Sequence, residues 1–369
     1  MQKSPFKVLT IAGTRPEVIR LSAIIPQLEK YFDHKLVHTN QNFDYELNGI
    51  FFDELGLRAP DYMLNCSGSL GNTLGQTLIQ LEEVFLQEKP DAVVLLGDTN
   101  ASIAGLLARR MKIKLYHLEA GNRAFDTNVP EEINRRFIDH IADFNLVYGE
   151  HARRNLLREG LEPRKIYISG SPLREVYELY KSNIQQSKVL ESLGISSNKY
   201  YLASFHRAEN VDDASRLQLL VDTLNTLAET SELPLIVSLH PRTRNRLQAL
   251  AGFKWHGLVK CCKPFGFFDY MFLQQNARCV ISDSGTVCEE SAIAGFPAVT
   301  VRQSMERPEA MDCGSAVLAP VDKTAILNAV AMMESVSAGQ PAQCPEAYCI
   351  SDCSMRVVKL IAGTIRQEW

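Results

Sequence analysis

Short apolar runs alternate with helical stripes along the whole chain. Lys7–Ala12 (K-V-L-T-I-A) reads as a strand, and G-T-R-P-E after it is a strand–turn–helix junction with proline at the helix start. Ile19, Leu21, Ile24, Ile25 and Leu28 carry the apolar face of that helix. Leu36–His38 reads as the next strand, and Q-N-F-D-Y-E follows it. Leucines at 70, 74, 78 and 81, then Val84 and Phe85, predict a helix from Leu70 to Leu86. Asp91–Leu96 is a fully buried strand ending in Gly97-Asp98-Thr99, with a helix expected from Ala101 to Arg110. Ile113–Tyr116 reads as a strand end, and an amphipathic helical pattern begins at Ile133. Phe144–Val147 and Ile166–Ile168 continue the series. Ser169-Gly170-Ser171-Pro172 breaks it, and a polar helix from Leu173 to about Gln186 reads as an interdomain connector.

The second half repeats the alternation. Strands at Tyr200–Ser204, Leu235–Leu239, Cys279–Ile281 and Pro297–Val301 lead into F-H-R-A-E-N, H-P-R-T-R, S-D-S-G-T-V-C-E-E and R-Q-S-M-E-R-P-E. Such alternation predicts an α/β protein of two doubly wound, Rossmann-like domains, each a parallel sheet covered on both faces. The expected division is 1–172 and 173–369, with a last helix over about 352–367 packing back on the first domain. Two such domains leave a cleft between their strand carboxyl ends, the default place for a ligand.

Composition narrows the picture by exclusion. A length of 369 residues suits two domains, and 46% hydrophobic with 22% charged residues is ordinary for a globular protein. A net charge of −4 offers no case for nucleic acid or an anionic membrane surface. No apolar run reaches the length of a membrane span, and the chain enters a strand almost at once, so a cytoplasmic protein is expected. Nine cysteines are scattered without a C-x-x-C pair, which reads as reduced thiols rather than a metal site or disulfide framework.

Chemistry gathers where strands end. The stretch from His117 to Arg136 holds Glu119, Asp126, Glu131 and Glu132 among Arg123, Arg135 and Arg136. Alone it is a solvated charged loop; crowded carboxylates also raise each other's pKa and suit proton transfer. Asp98 sits at a strand's carboxyl end, where an N-cap is the plain reading, and Thr99 is placed to cap the next helix. The first turn lacks G-x-G-x-x-G and G-K-[ST], but offers Arg15 and Arg20 at a helix start, as a surface arginine pair or a diphosphate clamp. Ser284, Gly285 and Thr286 open a helix whose amides suit an anion, and Glu290 a turn on suits a ribose diol. His206-Arg207, His240 and Arg242, and Arg307 add strand-end cations. Cations for a nucleoside diphosphate opposite three carboxylates, Asp98, Glu119 and Glu131, suggest protons removed and returned on two faces of a sugar.

In this order G-T-R-P-E, G-D-T, H-x-E-A-G, P-E-E-x-N-R, the strand-end H-R, D-S-G with its E-E, and E-R-P-E resemble the non-hydrolysing UDP-N-acetylglucosamine 2-epimerase family over essentially the whole chain. The resemblance implies the two-domain GT-B fold of glycogen-phosphorylase-like glycosyltransferases. It also implies UDP-sugar binding by Arg15, Arg20, His206, Ser284, Gly285, Thr286, Glu290 and Arg307, and catalysis by Asp98, Glu119, Glu131 and His206. It implies anti elimination of UDP through a 2-acetamidoglycal, domain closure to retain the glycal, no cofactor, no metal, and a homodimer. The family's Q-H-R-E-M region, tied in some members to allosteric substrate binding, reads Q-N-F-D-Y here. Q-N-F-D-Y-E-L-N, E-A-G-N-R-A-F-D-T-N-V-P-E-E-I-N-R and S-L-H-P-R-T look most like the branch that makes UDP-N-acetyl-L-fucosamine from UDP-2-acetamido-2,6-dideoxy-L-talose. UDP-N-acetylglucosamine 2-epimerisation is the alternative, with a hydrolysing 2-epimerase, a glycosyltransferase of the same fold and a non-catalytic nucleotide-sugar binder behind it.

Overall fold

The computed structural model describes residues 4–40, 49–126, 129–250, 252–337 and 344–367. The Q-N-F-D-Y stretch at 41–45 lies outside them. The chain forms two compact units, one of Met1–Leu179 with Glu346–Trp369 and one of Tyr180–Pro345. The division falls within the helix Pro172–Gln185, so the sequence boundary at 172/173 lies at the start of that helix.

The first unit holds β1 (Lys7–Ala12), β2 (Asp33–His38), β3 (Tyr62–Met63), β4 (Ala92–Leu96), β5 (Lys114–Leu118), β6 (Phe144–Val147) and β7 (Ile166–Ile168). They form one sheet in the order β3-β2-β1-β4-β5-β6-β7, and every recorded pairing is parallel. Parallel strands need long crossovers, and helices supply them. The order reverses between β1 and β4, which opens a crevice beyond the carboxyl ends of those two strands. Register decides what meets there. Leu96 of β4 pairs with Leu118 of β5, so Gly97-Asp98 and Glu119 leave the sheet side by side.

Alternate strand residues face opposite sides of the sheet. Leu9, Ile11, Val93, Leu95 and Leu115 pack with Leu81, Val84 and Phe85 of the helix Leu70–Glu88. Tyr116, next after Leu115, points to the other side, where its hydroxyl lies 2.8 Å from Thr364 Oγ1 of the helix Cys353–Thr364. The Leu70–Glu88 helix turns a different face inward from its leucine stripe. Thr73, Thr77, Leu81, Val84 and Phe85 are buried, while Leu70, Ile79 and Leu86 are exposed. Short threonines admit close packing, and the Thr77 hydroxyl returns its proton to the Thr73 carbonyl at 2.8 Å. Burying Leu81, Val84 and Phe85 contributes roughly 1.5–3 kcal/mol each.

The second unit holds β8 (Tyr201–Ser204), β9 (Leu235–Ser238), β10 (Val259–Cys262), β11 (Cys279–Ser282), β12 (Ala298–Val301) and β13 (Ala316–Ala319). Their order is β10-β9-β8-β11-β12-β13, again parallel, with the reversal between β8 and β11. Tyr201, Ala203, Val237, Ile281 and Val299 pack with the helices Ala214–Ser231 and Lys323–Ser337 through Leu220, Leu224, Ile326 and Val330. The register sets Ser204 opposite Ser282, so the segments starting at Phe205 and Asp283 also emerge together.

Several boundaries differ from the sequence reading. β5 runs to Leu118 and the next helix is Pro130–Ile141, so His117 lies in a strand and Glu131 and Glu132 lie in a helical first turn rather than in the loop. Residues Asn100–Ile103 form a 3₁₀ turn before the helix Ala104–Arg110, because Thr99 caps the Ala101 amide and tightens the start. No helix among the described residues is long and apolar enough to cross a membrane.

The final helix is tied to the first unit at defined points. Ser354 donates from its amide to Glu175 at 2.8 Å and also from its hydroxyl to the same carboxylate, and Ser171 donates to the Ala347 carbonyl at 3.1 Å. Gly170 adopts φ +78, and a Cβ there would lie 2.5 Å from Ile350 Cβ. Gly170→Ala therefore combines a left-handed residue with overpacking, an expected loss of about 2–5 kcal/mol. Thermal and urea unfolding measure it; a change below about 0.5 kcal/mol would show that the contact yields.

Candidate active site

In the first unit, the site is built from the loops after β1, β4 and β5. Glu17, in the first turn of the helix Arg15–Leu21, is only 3% exposed. One carboxylate oxygen accepts the amides of Gly13 and Thr14 at 2.5 and 2.8 Å, and the other accepts the Thr99 hydroxyl at 2.6 Å. Glu17 thus laces the β1 loop to the β4 loop across the reversal. Burial pushes its carboxyl up to about 7, against the pull of those three donors.

Asp98 and Glu119 stand beside this lacing. Arg135 Nε reaches Asp98 Oδ2 at 2.5 Å, and Asn134 donates to the Asp98 carbonyl at 2.8 Å. Burial raises the Asp98 carboxyl, and the charges of Glu119 and Glu131 raise it further against Arg135. Glu119 has φ +66, a left-handed conformation that costs a non-glycine residue about 1–2 kcal/mol. Tyr148 donates to Glu119 Oε2 at 2.9 Å, and Arg20 Nε lies 3.5 Å from the same oxygen. A Cβ on Gly97 would sit 3.9 Å from that oxygen, so the β4 and β5 loops face each other closely. A strained residue held by a buried phenol and a guanidinium is the usual company of a reacting group.

The neighbouring charges have separable roles. Glu132, 2% exposed, accepts the Ala124 amide at 2.9 Å and pairs with Arg135 at 3.2 Å and Arg136 at 3.1 Å. Glu131 is half-buried, and its charge acts on Asp98. Arg123 is buried between Asp139 at 2.7 Å and Glu159 at 2.6 Å.

In the second unit, Asp283 follows β11 and is fully buried. It accepts the amides of His206 and Arg207 at 3.0 Å each and the Asn210 side chain at 3.1 Å. Burial works to raise its carboxyl, but the His206 ring 3.2 Å away and these donors hold it below the usual carboxylate range. His206 is thereby fixed with its side chain partly exposed beside Ser284 to Thr286. The Ser284 and Thr286 hydroxyls lie 3.0 Å apart, and Thr286 donates to Glu290 at 2.7 Å. Arg307 donates to the Gly285 carbonyl at 2.8 Å and pairs with Glu289 at 3.3 Å. A Cβ on Gly285 would meet Glu306 Oε1 at 2.8 Å and Arg207 at 3.1 Å, so any larger residue in this turn must displace those side-chain ends.

The structure therefore gathers Arg20, Asp98 and Glu119 in the first unit, with Glu131 near enough for its charge to act on Asp98. His206, Ser284, Gly285, Thr286, Glu290 and Arg307 gather in the second. Arg15 is half-buried at the start of the first helix. Arg20 is not a surface arginine, being 4% exposed, because its position on the short helix turns it inward toward Glu119 in the loop after β5. Asp98 is not a helix cap; Thr99 takes that place and leaves Asp98 to Arg135. His240 caps its helix through the Arg242 amide at 3.2 Å, while Arg242 pairs with Asp212 at 2.5 Å.

Sequence reasoning missed Glu17, Asp139 and Tyr148, and noted Glu132 and Asp283 without the role they take; the carboxylates or hydroxyl of all five hold the functional loops. A signal existed for Asp283, flanked by small residues at a strand end. Among the described residues no cluster of three metal-ligating side chains occurs.

Two parallel sheets, each with its charged groups at the strand carboxyl ends where the order reverses, define the GT-B-like class of α/β protein. A family model described as UDP-N-acetylglucosamine 2-epimerase matches residues 27–362, and the chain belongs to that family. It is thereby an isomerase of the non-hydrolysing kind. The chain is 40% identical over 337 residues to the UDP-N-acetylglucosamine 2-epimerase of Methanocaldococcus jannaschii, covering 89% of this chain and 92% of that one. It is 36% identical to the UDP-2,3-diacetamido-2,3-dideoxy-D-glucuronate 2-epimerase of Pseudomonas aeruginosa, covering 85% and 88%. The crystal structure of the M. jannaschii UDP-GlcNAc 2-epimerase in complex with UDP-GlcNAc and UDP superposes with a TM-score of 0.90 at 36% identity, covering 97% of this chain and 100% of that one.

The Glu17 environment has a measurable consequence. Its carboxyl is raised in the folded state, so the folded chain binds that proton more tightly than the unfolded chain does. Its contribution to stability is therefore fully present below the ordinary value of 4.5 and is lost as pH rises through about 7. Glu17→Gln removes this dependence. Urea unfolding at pH 5 and pH 8 should show the variant losing less stability between the two than the parent, by up to about 3 kcal/mol. Equal pH dependence in both proteins would refute the raised carboxyl.

Proposed function

We propose that the protein inverts C2 of a UDP-2-acetamido sugar by anti elimination of UDP and re-addition through a 2-acetamidoglycal. The observation that carries this reading is the pairing of Asp98 and Glu119, two carboxylates on facing loops with a guanidinium at each. A carboxylate takes the C2 proton, the C–H electrons form the C1=C2 bond, and UDP departs with the C1–O pair. A proton then reaches the opposite face of C2 and a UDP oxygen re-forms the bond to C1. The steps balance with no oxidant and no co-substrate. Burial raises the Asp98 carboxyl against the pull of Arg135, a direction that suits a group exchanging a proton with C2. Arg15, Arg20, His206, Arg307 and the turn Ser284–Thr286 are the groups assigned to the nucleotide, where positive charge stabilises the departing diphosphate.

The finer reading is UDP-2-acetamido-2,6-dideoxy-L-talose as substrate and UDP-N-acetyl-L-fucosamine as product, for a bacterial surface polysaccharide. Phe125 supports an apolar contact with the 6-methyl group, being 68% exposed and held at φ +54 in the loop between β5 and the P-E-E helix. Ala124 does not share that role, because it is buried and its amide is committed to Glu132. An apolar contact rejects a hydroxyl by only about a hundredfold, so sugar configuration does much of the selecting. UDP-N-acetylglucosamine is the second reading, favoured by the 40% identical relative. Two relatives named for different sugars show that membership of the family leaves the sugar open.

In D₂O without an acceptor, the enzyme with its substrate should incorporate deuterium at C2. Unlabelled product, or steady accumulation of free UDP, would replace the elimination mechanism with transfer or hydrolysis. Asp98→Asn, Glu119→Gln and Glu131→Gln should each lower turnover by about 10²–10⁴ while UDP still binds. A variant with near-normal turnover leaves the catalytic set. Turnover on the two candidate sugars at equal concentration decides the substrate; faster conversion of UDP-N-acetylglucosamine overturns the L-talose reading alone.

A further inference from the structure

His117 lies at the carboxyl end of β5 with its ring 1% exposed, and the mechanism above makes no use of it. Its Nε2 is 2.8 Å from the Gly97 carbonyl and its Nδ1 is 2.8 Å from Asp139 Oδ1. Both partners only accept, so satisfying both bonds requires a proton on each ring nitrogen, an imidazolium. The other Asp139 oxygen accepts the Gly121 amide at 3.1 Å and Arg123 at 2.7 Å. The charged groups facing the ring are Asp139 from the Pro130–Ile141 helix, Asp98 from the loop after β4, and Arg123 behind Asp139.

This pair reaches both catalytic turns at once. Gly97, at φ +77 directly before Asp98, is held at its amide by the Leu118 carbonyl (2.9 Å) and at its carbonyl by His117. Gly121, two residues after Glu119, has φ +79, and a Cβ on it would sit 2.4 Å from the Ala152 carbonyl. Its amide is held by Asp139. We propose that His117 is a positioning residue for proton transfer, an imidazolium that with Asp139 clamps the G-D-T and E-A-G turns and so sets the spacing of Asp98 and Glu119. A buried ion pair adds little net stability over an apolar pair of equal volume, so its specific effect here is geometric. Asn at 117 can donate from one nitrogen only and releases one of the two turns.

The inference rests on the reading of Asp98 and Glu119 as acid/base groups, and the test separates the two. His117→Asn should lower kcat by about 100-fold, the effect of a small misplacement, while calorimetric UDP affinity stays within about twofold. A role in folding alone would reduce both together through the folded fraction. In the parent enzyme labelled with ¹⁵N-histidine, the signals of His117, assigned through its backbone among the eight histidines, should show both nitrogens protonated at about pH 8, where a free imidazole is neutral. A neutral ring there overturns the proposal even where the variant does not fold. So does turnover of His117→Asn within about threefold of the parent, since a clamp of this kind is worth far more. A parent enzyme that exchanges no C2 proton with D₂O removes the acid/base reading and this inference with it.

Discussion

A buried carboxylate spans the reversal point of each sheet, and the sites on both units depend on it. Glu17 does this in the first unit, gathering two amides of its own loop and the Thr99 hydroxyl from the β4 loop. Asp283 does it in the second, reaching from the β11 loop to the His206 and Arg207 amides of the β8 loop. The need is general, because a parallel sheet ends in a row of loops whose amides have no strand partner and whose burial is costly unless an acceptor is found. A carboxylate answers several amides at once, but only while all stay in place. Removing one donor leaves a buried acceptor unsatisfied, at about 1–3 kcal/mol. The loops that carry the chemistry are therefore among the most constrained in the chain.

That constraint explains how so many charges coexist in the first unit. Asp98, Glu119, Glu132, Asp139 and Glu159 would repel one another in a free loop. Here Arg135, Arg20, Arg136 and Arg123 are interleaved so that each carboxylate has a cation within 3.5 Å. The balance is uneven where the chemistry is placed. Glu159 is held by Arg123 below the usual carboxylate range, although burial opposes this, whereas Asp98 is raised by burial in spite of Arg135. The same residue types are shifted in opposite directions in the two places, by the balance of burial against the guanidinium beside each.

Much of this was legible in advance. Buried parallel strands are short apolar runs, and eight of the thirteen were read close to their true ends because glycine or a polar cluster closes them. β3, β10 and β13 were missed; each lies at a sheet edge, and β3 and β10 are short, only partly buried and lack an apolar run, whereas β13 (A-V-L-A) had one that was passed over. The candidate residues were also legible, since strand carboxyl ends could be located. What could not be read was which way a charged side chain turns. Arg20 and Glu17 are three residues apart on one short helix and both turn inward, to different partners, and nothing in G-T-R-P-E-V-I-R distinguishes them from solvated charges.

Glu131 and Glu132 make the same point at its sharpest. Adjacent residues on a helix are separated by about 100°, so only one of the pair can face a given loop. Glu132 faces the loop after β5 at the Ala124 amide and takes two arginines. Glu131 is left on the side from which its charge reaches Asp98. The helix makes the choice by the face it packs inward, where Glu132 lies with buried Arg135 and Asp139. Pro130 occupies its first turn, where a missing amide costs nothing and the fixed φ suits the helix. Past that start, one glutamate goes to structure while the charge of its neighbour acts on Asp98.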